Sequence, residues 1–160
     1  MATVQLANLD AKLTYLALQY HLARPGSELD PDTGGPSTRG LAAVAHVLEP
    51  QLEQAVATIG LSEQQRQRLL SAMSGTMNEL KTYPLLPERS GGRRSAIPGF
   101  DVVLRRLFPE IETEPDETSQ LAGHLMAARR RLASAEATRG GEGAGAAPRR
   151  WWRFWQRQDA

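Results

Sequence analysis

Residues 3–24, TVQLANLDAKLTYLALQYHLAR, decide the fold class. Leu6, Leu9, Leu13, Leu16 and Tyr20 recur at spacings of three and four, the period that lines one face of an α-helix. Leu18 and Leu22 widen the stripe. Thr3 is the expected N-cap, and Pro25-Gly26 closes the helix, because proline cannot continue it and glycine tolerates a left-handed exit.

Working outward, the same period returns four more times. Residues 25–40, PGSELDPDTGGPSTRG, carry no hydrophobic period and read as a loop. A second helix should follow, with Ser37 or Thr38 as cap and Leu41, Val44, Leu48, Leu52, Val56 and Ile59 on one side. Pro50 removes a backbone donor and crowds the preceding turn, which predicts a kink or break near Glu49. Gly60 ends this helix. Ser62 and Gln65 then form a Ser-x-x-Gln capping box that opens a third helix, with Leu69, Met73, Met77 and Leu80 inward and Tyr83-Pro84 as its stop. Residues 84–98 are irregular, and Gly91-Gly92-Arg93-Arg94 reads as an exposed tip.

A short fourth helix, Gly99 to Phe108, turns Phe100, Val103, Leu104 and Leu107 inward and carries Asp101 in its first turn, where the helix dipole favours negative charge. After Pro109, a fifth begins near Thr113 with Glu114, Asp116 and Glu117 at its positive end. Leu121, Leu125, Ala128, Leu132 and Ala135 mark its buried face, and Arg129, Arg130 and Arg131 lie at its negative end. No segment shows the period-two alternation of a strand. The expectation is an all-α bundle of four to five helices with long irregular loops and a flexible C-terminal tail. Residues 1–139 form the bundle domain, 140–148 (GGEGAGAAP) a Gly/Ala-rich linker, and 149–160 an amphipathic Arg/Trp tail.

At 160 residues the chain can bury one core without staples. The absence of cysteine removes disulfides, thiolate metal sites and thiol nucleophiles, and fits a reducing compartment. The start, MATVQLANLD, lacks the basic-then-apolar pattern of a secretory signal. A cytoplasmic location follows as an expectation, with peripheral attachment at the inner face of the membrane.

The net charge of +1 hides an uneven distribution. Residues 1–88 carry six basic and nine acidic groups, 89–108 five and one, 109–128 none and five, and 129–160 eight and three. Neighbouring blocks of opposite sign can neutralise one another, and the Arg129–Arg131 run has an acidic block to face. The last positive block sits on the tail, free to meet an external anion.

Most candidate chemistry reduces to ordinary structure. The loop Asp30-Pro31-Asp32-Thr33-Gly34-Gly35 resembles a calcium loop only in part, because the fifth position is glycine and the twelfth is Leu41 where a bidentate glutamate is needed. His21, His46 and His124 stand in separate helices without the paired spacing of metal ligands, so no metal is expected. Glu110, Glu112 and Glu114 are read as a solvated turn and not as an acid-base pair. Met73 and Met77 are read as core filling. No nucleophile elbow or phosphate-cradling loop is present, and the expectation is a non-enzyme without cofactor.

The tail differs in kind. Arg149, Arg150, Trp151, Trp152, Arg153, Phe154, Trp155 and Arg157 place four cations and four aromatics within nine residues, including every tryptophan of the chain. Wound at about 100° per residue, the arginines share one arc of about 100° and the aromatics the arc facing it. A strand would mix the two on one face. So short a helix does not hold in water, and the tail is expected to order on whatever receives its aromatic face.

Arg149 to Phe154, RRWWRF, is similar to short arginine-tryptophan antimicrobial peptides. The resemblance covers six residues and implies affinity for anionic membranes. The expected function is a non-catalytic adaptor or peripheral anchor whose tail binds an anionic membrane surface. Two alternatives stay open: docking of the aromatic face in a partner protein's groove, and single-stranded nucleic-acid binding, which the slightly acidic residues 1–88 disfavour.

Overall fold

A computed structural model describes residues 1–29, 40–88 and 94–134, with nothing described of the Pro115 side chain. Within them the chain is mostly helical but not all-α. The elements run β1 (Ala2–Ala7), α1 (Asn8–Leu22), α2 (Ala42–Leu48), β2 (Val56–Leu61), α3 (Glu63–Thr82), α4 (Phe100–Leu107) and α5 (Thr118–Ser134). Short 3-10 turns follow α2 at Glu49–Gln51, α3 at Tyr83–Leu85 and α4 at Pro109–Glu112, and another at Pro115–Glu117 leads into α5.

The two strands correct the expectation that every element is helical. β1 pairs antiparallel with β2, with Ala2 opposite Leu61 and Ala7 opposite Val56. Thr3 is therefore a strand residue, and α1 starts at Asn8 with Ala7 in the N-cap position and no side-chain cap. Val56 and Ile59 do not continue the second helix, and Gly60 lies inside β2. Along β2 the alternation is plain: Ala57, Ile59 and Leu61 are buried, while Val56 and Thr58 are exposed.

The single apolar stripe expected on the first helix also needs correction. Leu9 is 37% exposed, because Leu6 belongs to the strand and the helical stripe cannot run through it. Below that point α1 is buried around most of its circumference, at Ala11 and from Leu13 through Leu18. It is the central element, packed against α2, α3, α4 and α5. It lies close against α3 at Gly75, where a Cβ would lie 2.6 Å from the Tyr20 ring. Tyr20 in turn meets Phe100 of α4 edge-on, with ring centroids 6.2 Å apart.

The remaining boundaries follow local chemistry. α2 stops at Leu48 and tightens into the turn holding Pro50, as proline requires. Its N-cap is Leu41, in place of the Ser37 or Thr38 expected, and the Glu28 carboxylate accepts from the Ala42 N–H at 3.1 Å as a remote cap. The Ser62–Gln65 capping box forms in full: Gln65 N–H donates to Ser62 Oγ at 3.1 Å and Ser62 N–H to Gln65 Oε1 at 2.9 Å. α4 starts from Gly99 in the left-handed region, φ 73°, where a side chain would strain the backbone. α5 begins at Thr118, later than Thr113, because the 3-10 turns take up Pro109 and Pro115. Met73 is buried in the core and Met77 packs against it.

Candidate functional site

The tail residues Arg149, Arg150, Trp151, Trp152, Arg153, Phe154, Trp155 and Arg157 lie outside the described residues, as do the 140–148 linker, Ala135, the Asp30–Gly35 loop and the Gly91–Arg93 tip. Among the described residues the polar chemistry gathers at four places.

The first is a buried hub between α3 and α4. Asp101 stands in the first turn of α4, as the helix-dipole reading has it, but it is also buried, 3% exposed, and acts as an acceptor for the preceding connection. Its Oδ1 accepts from Tyr83 Oη at 2.8 Å, from Arg94 N–H at 2.9 Å and from Ser95 N–H at 3.4 Å. Ser95 Oγ donates to the Glu79 carboxylate and accepts from Ile97 N–H at 3.0 Å. Arg94 reaches back to the Leu86 carbonyl at 3.2 Å. Burial, reinforced by the Asp101 carboxyl that accepts its proton, pushes the Tyr83 hydroxyl up to about 12. These bonds pin the 94–98 segment onto the α3–α4 junction, and none of the hub residues lines either pocket described next.

The second place is the C-terminal end of α1. Leu22 and Ala23 are shared by two adjoining surface pockets. One, of about 270 Å³, is closed by Gln19, Gly99, Phe100 and Val103. The other, of about 440 Å³, runs along Arg24 to Leu29 as far as Ala42. His21 Nε2 lies 2.9 Å from Glu28 Oε1, so one carboxylate ties the end of α1 to the start of α2.

At the third, Arg106 of α4 donates to Glu49 at 3.2 Å and sits 5.5 Å from the Tyr15 ring centroid, a cation-π contact over a buried tyrosine. The fourth is the acidic turn. Glu110, Glu112 and Glu114 are exposed, and partial burial together with the Glu114 carboxylate raises the Glu117 carboxyl above its ordinary value.

His46 and His124 are exposed on α2 and α5, and His21 is engaged with Glu28. Among the described residues no three His, Cys, Asp or Glu side chains are grouped to hold a metal ion, and no helix is long and apolar enough to cross a membrane. The Arg129–Arg131 run spreads over separate partners. Arg131 forms a two-pronged pair with Asp10 of α1, with Nη2 2.7 Å from Oδ1, and Arg129 Nε donates to the Leu70 carbonyl at 3.1 Å. Asp10, not the 109–128 acidic block, is the carboxylate that meets this run.

Comparison with models of known protein families, with curated proteins and with solved structures gives no match in any of the three.

Sequence reasoning missed Asp101, Glu28 and Gln51 as organising residues. Each acts on a partner in another element: Asp101 on Tyr83, Glu28 on Ala42, and Gln51 on β2. Periodicity within one segment carries no signal for such contacts.

Proposed function

We propose that the chain is a non-catalytic adaptor or peripheral anchor, cytoplasmic, whose residues 149–157 bind an anionic membrane surface. One observation carries this reading: all three tryptophans and four arginines fall within nine residues, at spacings that separate cation from ring only on a helical period. Tryptophan settles at the headgroup level and arginine reaches phosphate, and about 1 kcal/mol per basic residue gives roughly 4 kcal/mol from the four arginines. Ring burial adds to this and the cost of ordering the segment subtracts. The anchoring is reversible.

Because every tryptophan lies in the tail, intrinsic fluorescence reports on that segment alone. Titration with phosphatidylglycerol vesicles should shift emission to the blue, and neutral phosphatidylcholine vesicles should shift it far less. Quenching by a single-stranded oligonucleotide without a lipid response would replace the membrane reading with base stacking. No response to either would leave a partner protein's groove as the receiver. A spectrum already blue in buffer would overturn the proposal, since the rings would then pack on the chain's own helices.

A further inference from the structure

The two-stranded sheet has two edges, and the protein treats them differently. At the outer edge of β2, the Gln51 side chain lies against Thr58 as a neighbouring strand would: Thr58 N–H donates to Gln51 Oε1 at 2.8 Å, and Gln51 Nε2 donates to the Thr58 carbonyl at 3.1 Å. The backbone groups of Thr58 therefore point away from β1. In an antiparallel pair the residue opposite also points away, and Thr58 faces Gln5. By the period of two, Thr3 shares this orientation. The Asn8 N–H to Ala55 carbonyl bond, 3.1 Å, gives the even-numbered residues of β1 the inward phase and confirms it.

The outer edge of β1 thus presents the N–H and C=O of Thr3 and Gln5. Neither residue has a hydrogen-bond partner among the described residues. The principal neighbours of β1 are β2 and α1, and Thr3, Gln5 and Ala7 are exposed. Edges are ordinarily protected by lysine, proline, a bulge or a covering element. Ala2–Ala7, ATVQLA, has no charge and no proline.

We infer that the open edge of β1 pairs with β1 of a second copy of this chain, antiparallel about a two-fold axis, to give a continuous sheet in the order β2–β1–β1–β2. A strand edge is complementary to itself in this orientation, so the contact is isologous and closed. Thr3 and Gln5 of one copy exchange bonds with the same edge of the other. Val4 and Leu6 stay on the core-facing side of both copies. An uncharged hexapeptide meets its twin without repulsion, whereas it offers nothing that selects a charged partner. Antiparallel pairing also brings the Met1 end of one strand beside the Leu9 end of the other, and these are 99% and 37% exposed apolar residues. A six-residue edge is small beside the roughly 1,200 Å² buried in stable complexes, so the dimer is a weak one that forms only at high protein concentration. Pairing consumes the β1 edges, and Gln51 occupies the N–H and C=O of Thr58 at the middle of each β2 edge, which disfavours addition of a further strand there.

Sedimentation equilibrium of the full chain, from about 10 µM to about 1 mM, should show the average mass climbing from one chain toward two. Gln5→Pro removes an N–H that bonds nothing within one copy, and should weaken the dimer at least tenfold while leaving the helical circular dichroism unchanged. If that variant fails to fold, the Thr3→Lys/Gln5→Lys pair, which sets like charges face to face across the axis, should do the same. Replacing Trp151, Trp152 and Trp155 by alanine should leave the dimer intact. A chain that stays monomeric throughout the range would overturn the inference. So would a dimer indifferent to the edge variants, or one lost with the tryptophans. Slow hydrogen exchange at the Thr3 and Gln5 amides in the dilute monomer would also overturn it, by showing the edge filled in cis.

Discussion

Tyr83 and Asp101, eighteen positions apart, meet through a 2.8 Å hydrogen bond inside the protein, and the Asp101 carboxyl oxygen that receives it also takes the Arg94 and Ser95 N–H groups. One carboxyl therefore fixes the end of α3, the start of α4 and the connection between them. Tyr83→Phe keeps the ring and removes one bond, and should cost about 1–2 kcal/mol, or roughly 2–8 °C in melting temperature. Asp101→Ala strands three donors at once and should cost about 3 kcal/mol or more in a urea titration.

The same bond sets an alkaline limit. The Tyr83 hydroxyl is raised from 10.0 to about 12 in the folded protein, so folding favours its protonated form. That contribution is complete below about pH 10 and disappears as pH climbs toward about 12, because the unfolded chain ionises first. Urea midpoints measured across this interval should fall more steeply for the native sequence than for Tyr83→Phe.

Gly75 lets α1 and α3 touch. Alanine would gain about 1 kcal/mol in helix propensity, but its Cβ would sit 2.6 Å from a ring carbon of Tyr20, a ring held edge-on by Phe100. Overpacking of this kind costs about 1–3 kcal/mol, so Gly75→Ala should be destabilising on balance. In a Tyr20→Leu background the same change should become neutral or favourable, which a double-mutant cycle of unfolding free energies would read directly.

Gln51 should govern solubility more than stability. Gln51→Ala gives up exposed hydrogen bonds, a loss of about 1 kcal/mol or less, yet it bares the N–H and C=O of Thr58. With both edges open, light scattering should detect species larger than a dimer at concentrations where the native sequence forms none.

What the sequence disclosed and what it hid divide along one physical line. The capping box at Ser62–Gln65, the stop at Pro50, the α4 stripe and the heptad of α5 are properties of contiguous residues, and each was legible. The strands were not. Leu6 and Leu9 sit three apart, and so do Val56 and Ile59, which makes strand residues imitate the helices beside them. Only the pairing of Ala2–Ala7 with Val56–Leu61 separates the two readings, and that contact spans both α1 and α2. Asp101 misled for the same reason, since a first-turn carboxylate and a buried acceptor look alike until Tyr83 is brought near. For the proposed site, residue content and period on residues 149–157 supply the whole case, as those positions lie outside the described residues.

The pairing of β1 with β2 also sets an order of events during synthesis. Residues 2–7 leave the ribosome long before Leu61 exists, so their backbone has no partner while the first helices are being made. An uncharged strand waiting in the open exposes unpaired N–H and C=O groups, and polysomes bearing many such chains offer it neighbours of identical sequence.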